Sequence, residues 1–118
     1  MRSDKHEELR SRTKQFALRL IRMSQALPAS READVIARQI LRSGTSVAAN
    51  YRAAGRSRSK AEFIAKMGIV VEEADETVFW LELLSESGLV KPAKLVELLS
   101  EANQLLAIFA ASRRTARE

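Results

Sequence analysis

Residues 60–87 read KAEFIAKMGIVVEEADETVFWLELLSES, and the spacing within them decides the fold. Phe63, Met67, Val70, Ala74, Thr77, Leu81 and Leu84 recur in steps of four and three, widened by Ile64, Val71 and Val78. A strand repeats every two residues and a helix every 3.6, so the stretch predicts one long amphipathic helix. A second stripe runs beside the first at the same spacing: Ile69, Glu73, Glu76, Trp80 and Leu83. A helix in a lone bundle needs one wide apolar stripe. Two stripes predict burial on two sides, the second against another subunit, where Glu73 and Glu76 meet arginines.

Just upstream, residues 55–62 read GRSRSKAE. Ser59 and Glu62 have the S-x-x-E spacing of a capping box, which starts the helix. Gly55 supplies the left-handed position that ends the helix before it. That earlier helix spans about 31–54, with Ser30 as N-cap and Glu32 and Asp34 favourably placed in its first turn. Its seam is Ala33, Ile36, Ile40, Ser43, Val47, Asn50 and Ala54, and its small-residue centre SGTSVAA predicts a tight helix–helix contact. Asn50, a polar residue in an apolar seam, is expected to hydrogen-bond across the bundle and fix register. A first helix covers about 5–27, with Leu9, Thr13, Phe16, Leu20, Met23 and Leu27 in its seam and Pro28 as its stop. Beyond Gly88, where Leu89 can fold back on Leu84, a last helix spans about 92–112 with Pro92 in its first turn. Its apolar face runs from Leu95 to Phe109, and the tail 113–118 is basic and expected to fray. Four long helices on short connections imply a single domain over 1–118, an all-α, antiparallel up-down-up-down four-helix bundle.

Composition narrows the chemistry. At 118 residues and 46% apolar the chain suits one folded domain rather than disorder. Without cysteine there is no disulfide, thiolate nucleophile or cysteine zinc site. The single histidine, His6, lies near the N-terminus and reads as an exposed surface residue. No apolar run reaches the ~20 residues of a membrane span and no secretory core opens the chain, so a cytoplasmic protein is expected. The acidic cluster Glu72, Glu73, Asp75 and Glu76 lacks the Glu-x-x-His pairs of a bundle di-iron site. Ser43, Thr45, Ser46, Ser57 and Ser59 have no histidine to activate them. Neither catalytic residue nor cofactor or metal is expected.

The charge is distributed unevenly. Residues 1–60 hold fourteen Lys/Arg against five Asp/Glu, whereas residues 61–118 hold six against ten. Arg38, Arg42, Arg52 and Arg56 fall on one face of the second helix, a row of about 27 Å at 1.5 Å per residue. Arg58 and Lys60 extend it through the turn. Such a row can follow a phosphate backbone, and scarce aromatics favour duplex DNA or folded RNA over single strands.

The run TSVAANYRAAGRSRSKAEFIAKMGIVVEEADETVFWLELL, residues 45–84, resembles the bacterial four-helix-bundle proteins named for 23S rRNA intervening sequences. Asn50, Ser59, Phe63, Glu73, Glu76 and Trp80 carry the resemblance. Where many members have Asn-Ile-Ala-Glu-Gly, this chain has Ala54 in place of the glutamate, so a role for that carboxylate does not transfer. The resemblance implies bundles that assemble into rings, with pentamers among relatives. It also implies kinship to the accessory variability determinant of diversity-generating retroelements, a basic pentamer that engages nucleic acid and a reverse transcriptase.

Two functions stand open from sequence. One is a non-enzymatic homo-oligomer that binds structured RNA or duplex DNA through the arginine face. The other is a scaffold or adaptor ring for a protein partner, such as a reverse-transcriptase-like one, with the arginines closing subunit interfaces.

Overall fold

The computed structural model describes residues 4–118; residues 1–3 of the expected domain lie outside it. Four helices make up the fold: α1 Asp4–Gln25, α2 Arg31–Ala54, α3 Lys60–Glu86 and α4 Val96–Arg117, with a short 3₁₀ turn at Pro92–Lys94. Among the described residues there is no strand. The molecule is a rod of 45 × 21 × 21 Å.

Neighbouring contacts follow the up-down-up-down order. His6 near the start of α1 stacks on Tyr51 near the end of α2, while Leu20 late in α1 meets Gly44 in mid-α2. Arg12 of α1 reaches Glu101 of α4, and residues 5–9 share a cleft with residues 108–115. The sequence seams become the core. Leu20, Ile40, Met67, Val70, Leu81, Leu84, Leu95 and Phe109 are fully buried. Truncating a residue such as Phe109 to alanine costs about 3–5 kcal/mol in lost transfer and cavity energy.

The small-residue centre of α2 does what its composition predicts. A Cβ at Gly44 would overlap the Leu20 side chain, so glycine here sets how closely α1 approaches α2. One residue earlier, Ser43 Oγ donates to the Gln39 carbonyl (2.9 Å) and accepts from Thr77 Oγ1 of α3 (2.9 Å). Both hydroxyls are wholly buried. Being hydrogen-bonded, they join α2 to α3 without leaving an orphan polar group in the core.

Caps and stops explain most boundaries. Ser30 Oγ accepts the Ala33 amide (3.1 Å) and Ser59 Oγ the Glu62 amide (3.0 Å). Gly88, at φ +82°, is the left-handed residue that closes α3. Beside it Ser87 Oγ donates to the Leu84 carbonyl and accepts from the Leu89 amide, and Leu89 packs on the core.

Five expectations need correction. Gly55 is right-handed, at φ −66°, so it is no left-handed stop. It is small because a Cβ there would overlap the His6 ring. His6 in turn is half-buried rather than an exposed surface residue. Helix α1 gives way to tighter turns at Gln25, where Ala26 and Leu27 bond three residues back, because the clash with Pro28 reaches into the preceding turn. Pro92 opens a 3₁₀ turn that carries Leu95 into the core before α4 begins at Val96, and the tail expected to fray is helical to Arg117. It is held from outside its own sequence: Arg113 lies over Gly68 and donates from Nε to the Ile64 carbonyl (3.3 Å).

Candidate nucleic-acid interface

Arg38, Arg42 and Arg52 of the α2 row are exposed, and so are Arg56, which lies in the turn because α2 ends at Ala54, Arg58 in the same turn and Lys60 at the start of α3. The members of the row do not share one environment. Arg38 pairs with Asp34 of its own helix at 2.9 Å. Arg42 bridges to α3, with NH1 3.3 Å from Glu73 Oε2 and NH2 on Glu76 Oε1. The same Glu76 oxygen accepts from Trp80 Nε1 at 3.2 Å. The Arg42 bond foremost, then the Trp80 bond, holds the Glu76 carboxyl below its usual range. Glu76 and Glu73 reciprocally keep Arg42 protonated.

Arg52, Arg56, Arg58 and Lys60 are different. Among the described residues no carboxylate lies within ion-pair distance of any of them. Arg52 stands on the wall of a groove of about 680 Å³ between α1 and α2, with Arg10 and Lys14 on the opposite side. Ala17, Ala48 and Ala49 line it between them, so the cations flank a channel open to a backbone-sized ligand. Arg10 has an intrahelical partner in Glu7 at 2.9 Å. Arg10 and Lys14 were not among the sequence candidates. Their i, i+4 spacing was visible, but that they face Arg52 depends on the α1–α2 packing that Gly44 permits.

Another arginine of α1 is engaged elsewhere. Arg12 makes a two-pronged pair with Glu101 of α4, Nε to Oε2 at 2.8 Å and NH2 to Oε1 at 2.7 Å. The Arg12 bond holds the Glu101 carboxyl below its usual range against the opposing effect of burial.

The second stripe of α3 divides. Within the chain, Glu73 and Glu76 both pair with Arg42 of α2. A side chain one helix away was in reach, and antiparallel packing sets Arg42 opposite both. Trp80 is half-buried by its bond to Glu76 and its edge-on contact with Phe79 (5.0 Å, 71°). Ile69 and Leu83 stay 46% and 40% exposed, and Phe79, absent from the sequence candidates, is 52% exposed. Asn50 is half-buried and bonds within α2, its Nδ2 donating to the Ser46 carbonyl and to Ser46 Oγ at 2.9 Å each. It does not cross the bundle, because Ser46 one turn back offers two acceptors on the same helix. Ser59 starts α3 as expected, its Oγ accepting the Glu62 amide, but among the described residues the Glu62 side chain makes no return bond to the Ser59 amide, so only half of the capping box forms.

With this geometry in hand, comparison with known families gives one match that covers most of the chain: the model described as 23S rRNA-intervening sequence protein, over residues 5–111. The chain belongs to this family. A crystal structure of a protein of unknown function from the S23 ribosomal protein family of Bacteroides thetaiotaomicron VPI-5482 superposes with a TM-score of 0.85. That protein is 30% identical, and the match covers 93% of this chain and 98% of that one. No protein of curated function matches. Among the described residues of this family member, no helix is long and apolar enough to cross a membrane.

Proposed function

We propose that this protein of the 23S rRNA-intervening sequence family is a non-enzymatic binder of folded RNA or duplex DNA. It grips the phosphate backbone with Arg52, Arg56, Arg58 and Lys60, supported by Arg10 and Lys14 across the groove. The observation that carries this is the run of exposed cations with no carboxylate within ion-pair distance among the described residues, beside Arg38 and Arg42, which are paired. An arginine without an internal partner keeps its donors for phosphate oxygens. Among the described residues no exposed aromatic for stacking unpaired bases stands on this face, which favours recognition by shape and phosphate over single strands.

The protein acts as a homo-oligomer, joined through the uncovered apolar residues of α3, Ile69, Phe79 and Leu83. Repetition of a modest basic patch around an assembly multiplies its affinity. The same apolar residues favour a second reading, a scaffold for a protein partner. In that case the arginines play no part in the interface through Glu73 and Glu76, which Arg42 already occupies.

Fluorescence anisotropy against an RNA hairpin and a DNA duplex across a salt series tests the first reading. Binding is expected to fall linearly in log–log form, with a slope near 0.9 per phosphate neutralised on a duplex. Absence of binding at low salt would sink it and turn the search to protein partners.

A further inference from the structure

One end of the bundle, where α1 begins, α4 ends and the α2–α3 turn passes between them, holds a cleft of about 640 Å³ that phosphate-backbone contact leaves unused. That is the size of a site for one small molecule. No carboxylate lines it among the described residues. Its aromatic wall is built deliberately. His6 stacks on Tyr51 at 4.8 Å and 27° between rings, Tyr51 rests on Phe109 behind it, and Gly55 leaves the space the imidazole occupies. Burial pushes the Tyr51 phenol up to about 12, so this wall carries no negative charge near neutrality. Phe63, half-buried, adds a second flat surface.

The polar side of the cleft has an open requirement. Ser57 of the lining has its Oγ buried, with no hydrogen-bond partner among the described residues. A buried hydroxyl left this way is destabilising, and an oxygen acceptor reached by rotation about its Cα–Cβ bond would satisfy it. Two helices point N-termini to this end and two point C-termini, so their partial charges offset one another. The sign is therefore set by side chains. Lys5 lines the cleft, and Arg56, Arg58 and Lys60 flank Ser57 and Ser59 in the turn.

From an aromatic wall, an unsatisfied hydroxyl, a lining lysine and the cations of the adjoining turn, we propose that this cleft binds a nucleoside monophosphate group. The base lies against the His6–Phe63 side and a phosphate oxygen accepts from Ser57. The group arrives either as a free nucleotide or as the 5′-phosphorylated end of a nucleic-acid chain. The chain-end form rests on the phosphate-backbone reading above; the free form does not.

The test uses the intact protein. AMP and GMP are titrated by calorimetry beside adenosine and guanosine, and an RNA hairpin with a 5′-phosphate is compared by anisotropy with the same hairpin ending in a 5′-hydroxyl. A phosphate preference of about tenfold or more is expected in at least one comparison, the size of one hydrogen bond to a charged group. Preference only in the first pair identifies free nucleotide, and only in the second a chain end. Ser57→Ala should erase the preference while leaving 5′-hydroxyl hairpin binding unchanged. Ser112→Leu, which fills the cleft from α4, should do the same, with helix content by circular dichroism confirming that both variants fold. Equal binding of phosphorylated and unphosphorylated ligands in both comparisons, or a preference that survives both variants, overturns the assignment. Loss of all hairpin binding with AMP binding retained would instead overturn the phosphate-backbone reading and leave the cleft standing.

Discussion

The two ends of the arginine row on α2 carry the same side chain at the same spacing and do different things. Towards the N-terminal end Arg42 is tied to Glu73 and Glu76, and the buried Ser43–Thr77 bond sits one residue away. Towards the C-terminal end Arg52 and Arg56 have no carboxylate within ion-pair distance among the described residues, Glu7 lining the same groove as Arg52 but pairing with Arg10. The cause lies on the facing helix, whose carboxylates cluster at residues 72–76 and leave the stretch nearer the turn without them, apart from Glu62. Periodicity therefore places charges on a face, and the partner helix decides which of them are spent on the fold.

If that division is real, the two ends must separate under mutation. The largest effect is expected from Arg52→Ala, Arg56→Ala and Arg58→Ala together. Affinity for an RNA hairpin at low salt should drop roughly a hundredfold and the salt slope should flatten by up to about 0.9 per lost phosphate contact. Arg38→Ala with Arg42→Ala should leave the slope nearly unchanged. An equal loss from both sets would erase the distinction between the two ends.

Stability should show the reverse order. Thr77→Val keeps shape but removes the hydroxyl that Ser43 accepts from, at a cost of about 1–2 kcal/mol in urea denaturation. Arg12→Ala breaks a two-pronged pair with a half-buried carboxylate and should cost about 1 kcal/mol. The turn arginines should have no measurable effect in the same assay. A destabilised Arg52→Ala protein would mean that this arginine, too, serves the fold.

The smallest effect is in acid. Glu76 and Glu101 have carboxyls held below their unfolded values by Arg42 and Arg12. The unfolded chain therefore takes up these protons first as pH falls. The stabilisation is complete above the ordinary carboxylate range, about 4.3, and is lost as pH drops through the lower folded values. The urea midpoint should decline below about pH 4, and less steeply in Arg12→Ala than in the parent. An unchanged acid slope would show that the pair contributes nothing to folding.

How much of this was legible in the sequence depends on whether the cause was local. Ser30, Ser59 and Gly88 announce helix boundaries because caps act over three or four residues. Seams at Leu20, Met67 and Phe109 announce the core for the same reason. Gly55 was misread because its smallness answers to His6, forty-nine positions away, rather than to its own dihedral angles. The order of the α4 tail depends on Arg113 finding the Ile64 carbonyl and the bare surface of Gly68. The groove cations Arg10 and Lys14 became candidates only once α1 lay against α2. Asn50 failed in the opposite direction, since a local acceptor at Ser46 satisfied what a distant one was expected to.

One consequence follows from a rod 45 Å long with Arg52, Arg56, Arg58 and Lys60 gathered towards one end. Such a body has a permanent electric moment along its length as well as a net charge. In the field of a polyanion it experiences a torque before it experiences contact, and turns its basic end forward while still a Debye length or so away. Collisions are then pre-sorted by orientation, and a surface of only a few arginines captures a larger share of encounters than its area alone allows.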